Sequence, residues 1–414
     1  MKHIVFVLAL LAATPALPVQ ETVVSDPRAT AATPRLTTDR HGNPLLSWVE
    51  KETDNKAAFF FAISTDDGQT FGPKIRVPVP PSVAVHAEGM PKLAQKADGT
   101  LLALFEVPRP VGESRFAGDL LYVMSTDQGR TWTQPNAIHD NTAPGKSHSF
   151  ADLTRLPNGE IGVVWLDDKL PGREGRSVKF RQTLPGGGFS REQIIDENAC
   201  QCCRTNIFVD RQQRIHLTYR DLLPAKAGET GIRDISQVVS TDGGRRFGPP
   251  KRVLADNWRV NACPHAGPSV TEVGSALLVS WFSGKEDAVG LRLAQPGAAA
   301  PVAMVLSNRA RHPQVTALHD QLVWVWDESV RQPDQPDDEP MPVYDQRIAM
   351  RLGANAATTF VTPASVLATY PVVLPLKKGL LLAYERKEEG ANVTIAFQRL
   401  TGETGLVMKP AEQN

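Results

Sequence analysis

Residues 198–206 read NACQCCRTN and place Cys200, Cys202 and Cys203, three of the chain's four cysteines, within four positions of one another; the fourth, Cys263, lies in NACPHAGP two residues before His265. Thiols spaced this way can do three kinds of chemistry. They can oxidise to disulfides, and a bridge from Cys263 to the earlier trio is the simplest staple. They can ligate a soft or borderline ion: Cys200, Cys202, Cys203, Cys263 and His265 are thiolate and imidazole donors that suit copper or zinc, although their spacing matches no standard zinc module. One of them could act as a nucleophile, which needs both a nearby base and a reduced thiol.

The compartment bears on that choice. Met1-Lys2-His3 followed by IVFVLALLAATPA is a short basic start and an apolar run, with small residues at Thr14 and Ala16, the pattern of a signal peptide over 1–16 cleaved within about 16–20. The run is too short to span a membrane, and nothing later in the chain approaches that length. An exported protein is expected, periplasmic or secreted, with residues 17–30 a flexible N-terminal segment and 31–410 a single domain. In such a compartment unpaired thiols persist only when a metal or a special function protects them.

Composition excludes some partners. With 45 basic and 45 acidic residues the net charge is zero, so no broad electrostatic footprint for nucleic acid or an anionic membrane exists. The 31 glycines and 33 prolines are spread along the chain, as many short strands joined by turns require.

An internal repeat positions the candidate residues. PRLTTDRHGNPLLSW from Pro34, PKLAQKADGTLLALF from Pro91, ADLTRLPNGEIGVVW from Ala151 and TNIFVDRQQRIHLTY from Thr205 are followed by PSVTEVGSALLVSW from Pro268, PQVTALHDQLVWVW from Pro313 and PVVLPLKKGLLLAY from Pro371. Each is a strand, a polar turn and a second strand carrying an aromatic thirteen or fourteen residues after its start: Trp48, Phe105, Trp165, Tyr219, Trp281, Trp326 and Tyr384. The starts lie far enough apart for two more strands per unit, which predicts an all-β, seven-bladed β-propeller whose large rings pack between blades.

A second signal falls in the same phase. Residues 64–71, STDDGQTF, 125–132, STDQGRTW, and 240–247, STDGGRRF, share Ser-Thr-Asp-x-Gly-x-x-aromatic, and QTLPGGGF at 182–189 is a decayed copy. Asp accepts hydrogen bonds from turn amides, Gly supplies a positive φ and the ring seals the hairpin. These copies resemble the Asp-box, or BNR, repeat of the sialidase-like propellers. The resemblance implies a structural role for the boxes, between third and fourth strands on the face away from the active site, and it keeps a six-bladed sialidase-type propeller as the alternative.

The loops leading into each first strand then ring the opposite mouth of the channel. They carry His86 and Glu88 for blade two, His148 for blade three, the cysteine trio for blade four, Cys263 and His265 for blade five, His312 for blade six and Tyr370 for blade seven. Loops joining second to third strands add Arg220, Asp221, Arg233 and Asp234 in blade four, and a long acidic, proline-rich segment over 327–347 in blade six. His86, Glu88, His148, Asp221, Arg233, Asp234 and His312 are the candidate ligand-binding residues.

Taken together, CQCC, YRD, RDI and CPHAGP resemble exported bacterial proteins called sialidase-like or exo-sialidase. Sialidases clamp a sugar carboxylate with three arginines and attack with a tyrosine assisted by a glutamate. By that resemblance Tyr370 stands as nucleophile and Arg35, Arg204 and Arg220 as clamp, though Thr33-Pro34-Arg35-Leu36 departs from the family's first-strand motif and no acidic acid/base is assignable. The leading expectation is a propeller binding a small molecule, glycan or metal, copper or zinc, at the Cys/His mouth. The alternatives are an exo-sialidase-like glycoside hydrolase acting on a carboxylated sugar and a scaffold that docks a protein. Whether the chain is an enzyme stays open.

Overall fold

In every repeat the alternating apolar residues form the inner two strands of a four-stranded antiparallel sheet, and a computed structural model, which describes residues 21–53, 56–224, 229–332 and 343–402, contains seven such sheets. Blade one occupies residues 30–77, blade two 92–137, blade three 149–199, blade four 206–252, blade five 269–306, blade six 310–360 and blade seven 367–400. First strands of neighbouring blades touch all the way round, from blade one through blade seven and back to blade one, so they line a central channel. The six-bladed alternative is thereby excluded.

The repeated aromatics are the reason the blades stack. Trp48, Phe105, Trp165, Tyr219, Trp281, Trp326 and Tyr384 are all buried. Phe105 of blade two, for example, packs in one cluster with Val49, Phe59 and Phe61 of blade one. Burying each ring contributes roughly 1.5–3 kcal/mol.

The Asp-boxes sit between third and fourth strands. In the first, Ser64 Oγ donates to Asp66 Oδ1 at 2.8 Å, and Asp66 Oδ1 accepts from Thr70 N at 2.9 Å. Gly68 turns the chain at φ 80° and gives its N–H to Ser64 Oγ at 2.9 Å. Each box aromatic reaches back to the third strand of the preceding blade: Phe71 onto Phe397, Trp132 onto Phe61 and Phe247 onto Phe180, with ring centroids 5.0, 6.4 and 5.0 Å apart. The decayed copy keeps this duty through Phe189 against Tyr122 at 4.9 Å. The boxes therefore stitch blades together on the far side of the channel.

Two expectations are corrected. From residue 21 on, the segment expected to be flexible is part of the fold: Glu21–Val23 pairs antiparallel with Thr394–Leu400 as the outer strand of blade seven, with Glu21 opposite Gln398. Blade seven otherwise ends in an open edge, and the chain's beginning covers it, Glu21 taking hydrogen bonds from Tyr384 Oη and Arg386 Nε. The described ends of the blade-six segment are ladder, because Gln321–Arg331 and Tyr344–Leu352 stay paired out to Arg331 opposite Tyr344; residues 333–342 lie outside the described residues. Residues 1–20, which include the expected signal peptide, and those beyond 402 also lie outside them. Among the described residues no helix is long and apolar enough to cross a membrane.

Candidate functional site

The mouth of the channel is shaped by bulges in the first strands. Pairing slips between Ala32 and Arg35, Ser149 and Asp152, Arg311 and Gln314, and Thr369 and Val372. Within each slip one non-glycine residue takes a left-handed conformation: Thr33 at φ 59°, Phe150 at 56°, His312 at 48° and Tyr370 at 54°. Such residues cost of order 1–3 kcal/mol each, and they persist where the surroundings over-determine them.

What over-determines three of them is a carboxylate placed directly after the repeat aromatic of the preceding blade. A bulge takes the amide out of the ladder, and a buried N–H needs a new acceptor. Glu106 accepts from Phe150 N at 2.5 Å, Asp327 from Tyr370 N at 2.8 Å, and Glu385 from Thr33 N at 2.8 Å. None of the three was expected as a mouth residue; their sequence signal is an acid immediately following Phe105, Trp326 and Tyr384.

The structure brings the five thiolate and imidazole donors together between blades four and five. The donor atoms of Cys200, Cys202 and Cys203 lie within 4.8 Å of one another, as do those of Cys202, Cys263 and His265. All four cysteines are free thiols, and the Sγ atoms of Cys200 and Cys202 are 4.0 Å apart, about twice a disulfide bond. The expected staple is not formed. Two sulfurs bound to one ion at about 2.3 Å in tetrahedral geometry sit ~3.8 Å apart, close to what is found.

Cations surround the sulfurs. Arg233 Nη1 donates to Cys200 Sγ at 2.9 Å and its Nε to Val260 O at 2.9 Å; Ala266 N donates to Cys203 Sγ at 3.4 Å. Hydrogen bonds from Cys202 and Cys203, then the charges of Arg233 and Arg220, hold Cys200 below the usual thiol range. The contact with Cys200 pushes Cys202 up, and burial pushes Cys203 up.

Arg220 is not at the mouth. Buried, it gives Nη1 to Arg233 O at 2.8 Å and Nη2 to Ala266 O at 2.9 Å and Phe282 O at 2.8 Å, so it braces the loops that carry the sulfurs. Arg204 and Glu88 form a buried pair beside them, Nη1 to Oε1 at 2.6 Å, and Glu88 Oε2 also accepts from Arg204 N at 2.9 Å and Gly267 N at 2.8 Å. Burial alone would raise Glu88; Arg204 and these amides outweigh it and hold the carboxyl below its ordinary range. Arg35 crosses the channel to Asp152 at 2.7 Å, next to buried Lys92, whose Nζ donates to Ala151 O. Each of the three arginines is thus engaged with a different partner, and they do not converge as a clamp.

Tyr370 stands on the other side of the mouth, its ring 4.2 Å from that of His312, whose Nδ1 is 2.7 Å from Asp327 Oδ2. Burial, then the charges of Glu385, Asp327 and Glu88, pushes the phenol above its ordinary value, and burial pushes Glu385 up to about 7. The cavity among Thr33, Ala87, Arg204, His312, Gln314 and Tyr370 is about 20 Å³, room for a water and not for a sugar ring.

The other candidates have structural partners. His86 sits over Phe150 with centroids 5.6 Å apart and its Nε2 3.5 Å from Glu106. His148 lies inside, not at the mouth: it is buried, stacked on His139 at 3.5 Å, with Nδ1 2.8 Å from Asp167. Asp221 accepts from Ser236 Oγ at 2.6 Å and Leu222 N at 2.7 Å, and Asp234 holds Asn257 N at 2.9 Å, Trp258 N at 3.1 Å and Arg252. Both acids are blade-internal for the same reason: polar turn amides buried beside them need acceptors.

Seven four-stranded blades around a channel, three with an Asp-box and a fourth with its decayed copy, define a sialidase-like β-propeller. The family model described as a BNR repeat-like domain matches residues 50–279, more than half of the chain, and the protein belongs to that family. No curated protein matches the sequence. Among solved structures, the intramolecular trans-sialidase from Ruminococcus gnavus in complex with oseltamivir carboxylate is 11% identical at a TM-score of 0.50, over 92% of this chain and 96% of that one. A protein of unknown function from Dyadobacter fermentans is 15% identical at 0.49, over 94% and 100% of the two chains. The α-L-arabinofuranosidase Arb93A from Fusarium graminearum is 12% identical at 0.49, over 93% and 96%. Likeness at these identities is a likeness of fold.

Proposed function

We propose that this protein is an exported propeller that binds a thiophilic metal ion, copper or zinc, at its channel mouth. The observation that carries the reading is the pair of interlocking donor triads, Cys200–Cys202–Cys203 and Cys202–Cys263–His265, sharing Cys202. Four reduced thiols in an oxidising compartment call for a protecting ion. Arg233, Arg220 and the Ala266 amide supply the outer hydrogen bonds and charge that such sites use to orient their ligands.

Action on a carboxylated sugar is less well supported. Glu88 already neutralises Arg204 and Asp327 bears on Tyr370, so Arg204 brings no uncompensated charge to an anionic substrate there.

Metal content and free thiols, measured together on protein purified without chelator, test the proposal. Stoichiometric copper or zinc is expected in the wild type and little in Cys202→Ser, which removes the donor common to both triads. Wild-type protein that carries no metal, takes up none when offered Cu(I) or Zn(II), and has all its cysteines in disulfides would refute it.

A further inference from the structure

The five donors are not one uniform shell. Cys200, Cys202 and Cys203 are buried, at 0%, 5% and 1% exposure, whereas Cys263 and His265 are exposed. Only Cys202 belongs to both triads.

The two triads sit in one braced frame and differ in their access to water. Cys200 N donates to Arg220 O at 2.9 Å, Arg233 Nη1 donates to the Cys200 sulfur, and Ala266 N, from the segment that carries Cys263 and His265, points at Cys203. One triad is dry; the other has two of its three donors open to water.

Resting on the metal-binding reading of this same cluster, we propose that it is a two-station transfer site for Cu(I). The outer station, Cys202–Cys263–His265, exchanges the ion with a donor or acceptor outside the protein. The inner station, Cys200–Cys202–Cys203, stores it. Cys202 stays bound throughout, so the ion is never released in passing between them.

The ion follows from the donor count. Zinc in a closed site takes four ligands, while the three buried donors of the inner station are all thiolates, a set that suits a soft, low-coordinate monovalent ion. The transfer is a ligand exchange with no change of oxidation state. The bonds from copper to Cys263 Sγ and to the His265 ring nitrogen break, and bonds to Cys200 Sγ and Cys203 Sγ form. The protons displaced from the inner thiols are balanced by the proton taken up at Cys263 and by release to solvent.

Anaerobically reduced full-length protein, loaded with Cu(I) and mixed with a chromogenic Cu(I) chelator in a stopped-flow instrument, reads the path directly. Cys263→Ser combined with His265→Ala should keep the wild-type copper stoichiometry and release it about tenfold more slowly, because the ion has lost its exit. Cys263→Ser alone should fall between. Cys200→Ser should release faster and hold copper more weakly, since storage is then impaired and the exit is intact. Release from the double variant at the wild-type rate overturns the outer station, and loss of all its copper overturns the division into two stations. Wild-type protein that binds Zn(II) and no Cu(I) overturns the transfer while sparing the metal site; protein that binds neither ion takes the metal reading itself down with it.

Discussion

Replacing Glu88 by alanine should destabilise the protein by about 3–5 kcal/mol, the cost of leaving one partner of a buried ion pair uncompensated. Glu88 is 3% exposed and comes from the loop before blade two, yet it binds the side chain and amide of Arg204 before blade four and the amide of Gly267 before blade five. One carboxylate therefore closes a bridge over the channel mouth. Its loss strands a guanidinium on a residue only 8% exposed and two buried N–H groups, and the groups can recover part of the loss only by admitting water. Glu88→Gln keeps the shape and one acceptor and gives up the charge, so it should cost less, about 2 kcal/mol, the worth of hydrogen bonds to an ionised group. The shift of the denaturant midpoint at unchanged slope measures both. A double-mutant cycle with Arg204→Met separates the pair from its surroundings: the double variant should be more stable than the two single costs add up to. A cost below about 1 kcal/mol for Glu88→Ala, or strict additivity in the cycle, would refute the bridge. Because Cys203 precedes Arg204 and His265 lies two residues before Gly267, Glu88→Ala should also weaken metal retention, which a chelator competition would register.

Two further outcomes concern regions away from the sulfurs. Burial and the neighbouring His148 push His139 down to about 4, below its ordinary 6.5. The folded state thus favours the neutral ring, so its contribution is complete above pH 6.5 and is lost as pH falls toward 4, about 3 kcal/mol in all. Glu385 has the opposite sign: held neutral by burial up to about 7, it stabilises at low pH and loses that contribution as pH rises through 7. Denaturant midpoints followed from pH 4 to 8 should show that His139→Leu removes a loss of stability on acidification from 6.5 toward 4 and that Glu385→Gln removes a loss as pH rises from 4.5 to about 7; profiles unchanged in these variants would show that other groups set them. On the far face, Phe247→Ala removes the half-buried ring that joins blade four to Phe180 of blade three, and about 2 kcal/mol of stability should go with it while metal content stays constant. A loss of metal in that variant would mean that the two faces are coupled.

Much of the architecture is legible because its determinants are local. A strand, a turn and a strand with a ring at a fixed distance bury that ring whatever the rest of the chain does, and all seven rings from Trp48 to Tyr384 are in the core. The Asp-box turn is likewise built within eight residues, since Asp66 bonds Ser64, Gln69 and Thr70 of its own turn. The first described strand escaped the pattern because Glu21–Val23 is short and its partner lies at the other end of the fold, Gln398 opposite Glu21.

The amino-acid sequence alone determined the blade count and the placing of Cys200, Cys202, Cys203, Cys263 and His265 in the segments that enter blades four and five. Those follow from periodicity, whereas the face on which the boxes lie was implied by their resemblance to the sialidase-like propellers. Which mouth residues meet, and which are already engaged, only the closed ring decided. Arg35 reaches Asp152 across two blades, Arg204 finds Glu88, and Glu106, Asp327 and Glu385 turn to the amides freed by bulges in the next blade. The physical reason is that a hydrogen bond or an ion pair is settled over a few tenths of an ångström, and the bulges set those distances only after every blade has packed against its neighbours. The same closure gave the thiols their two environments, three sulfurs dry and one wet, which no spacing of cysteines could announce.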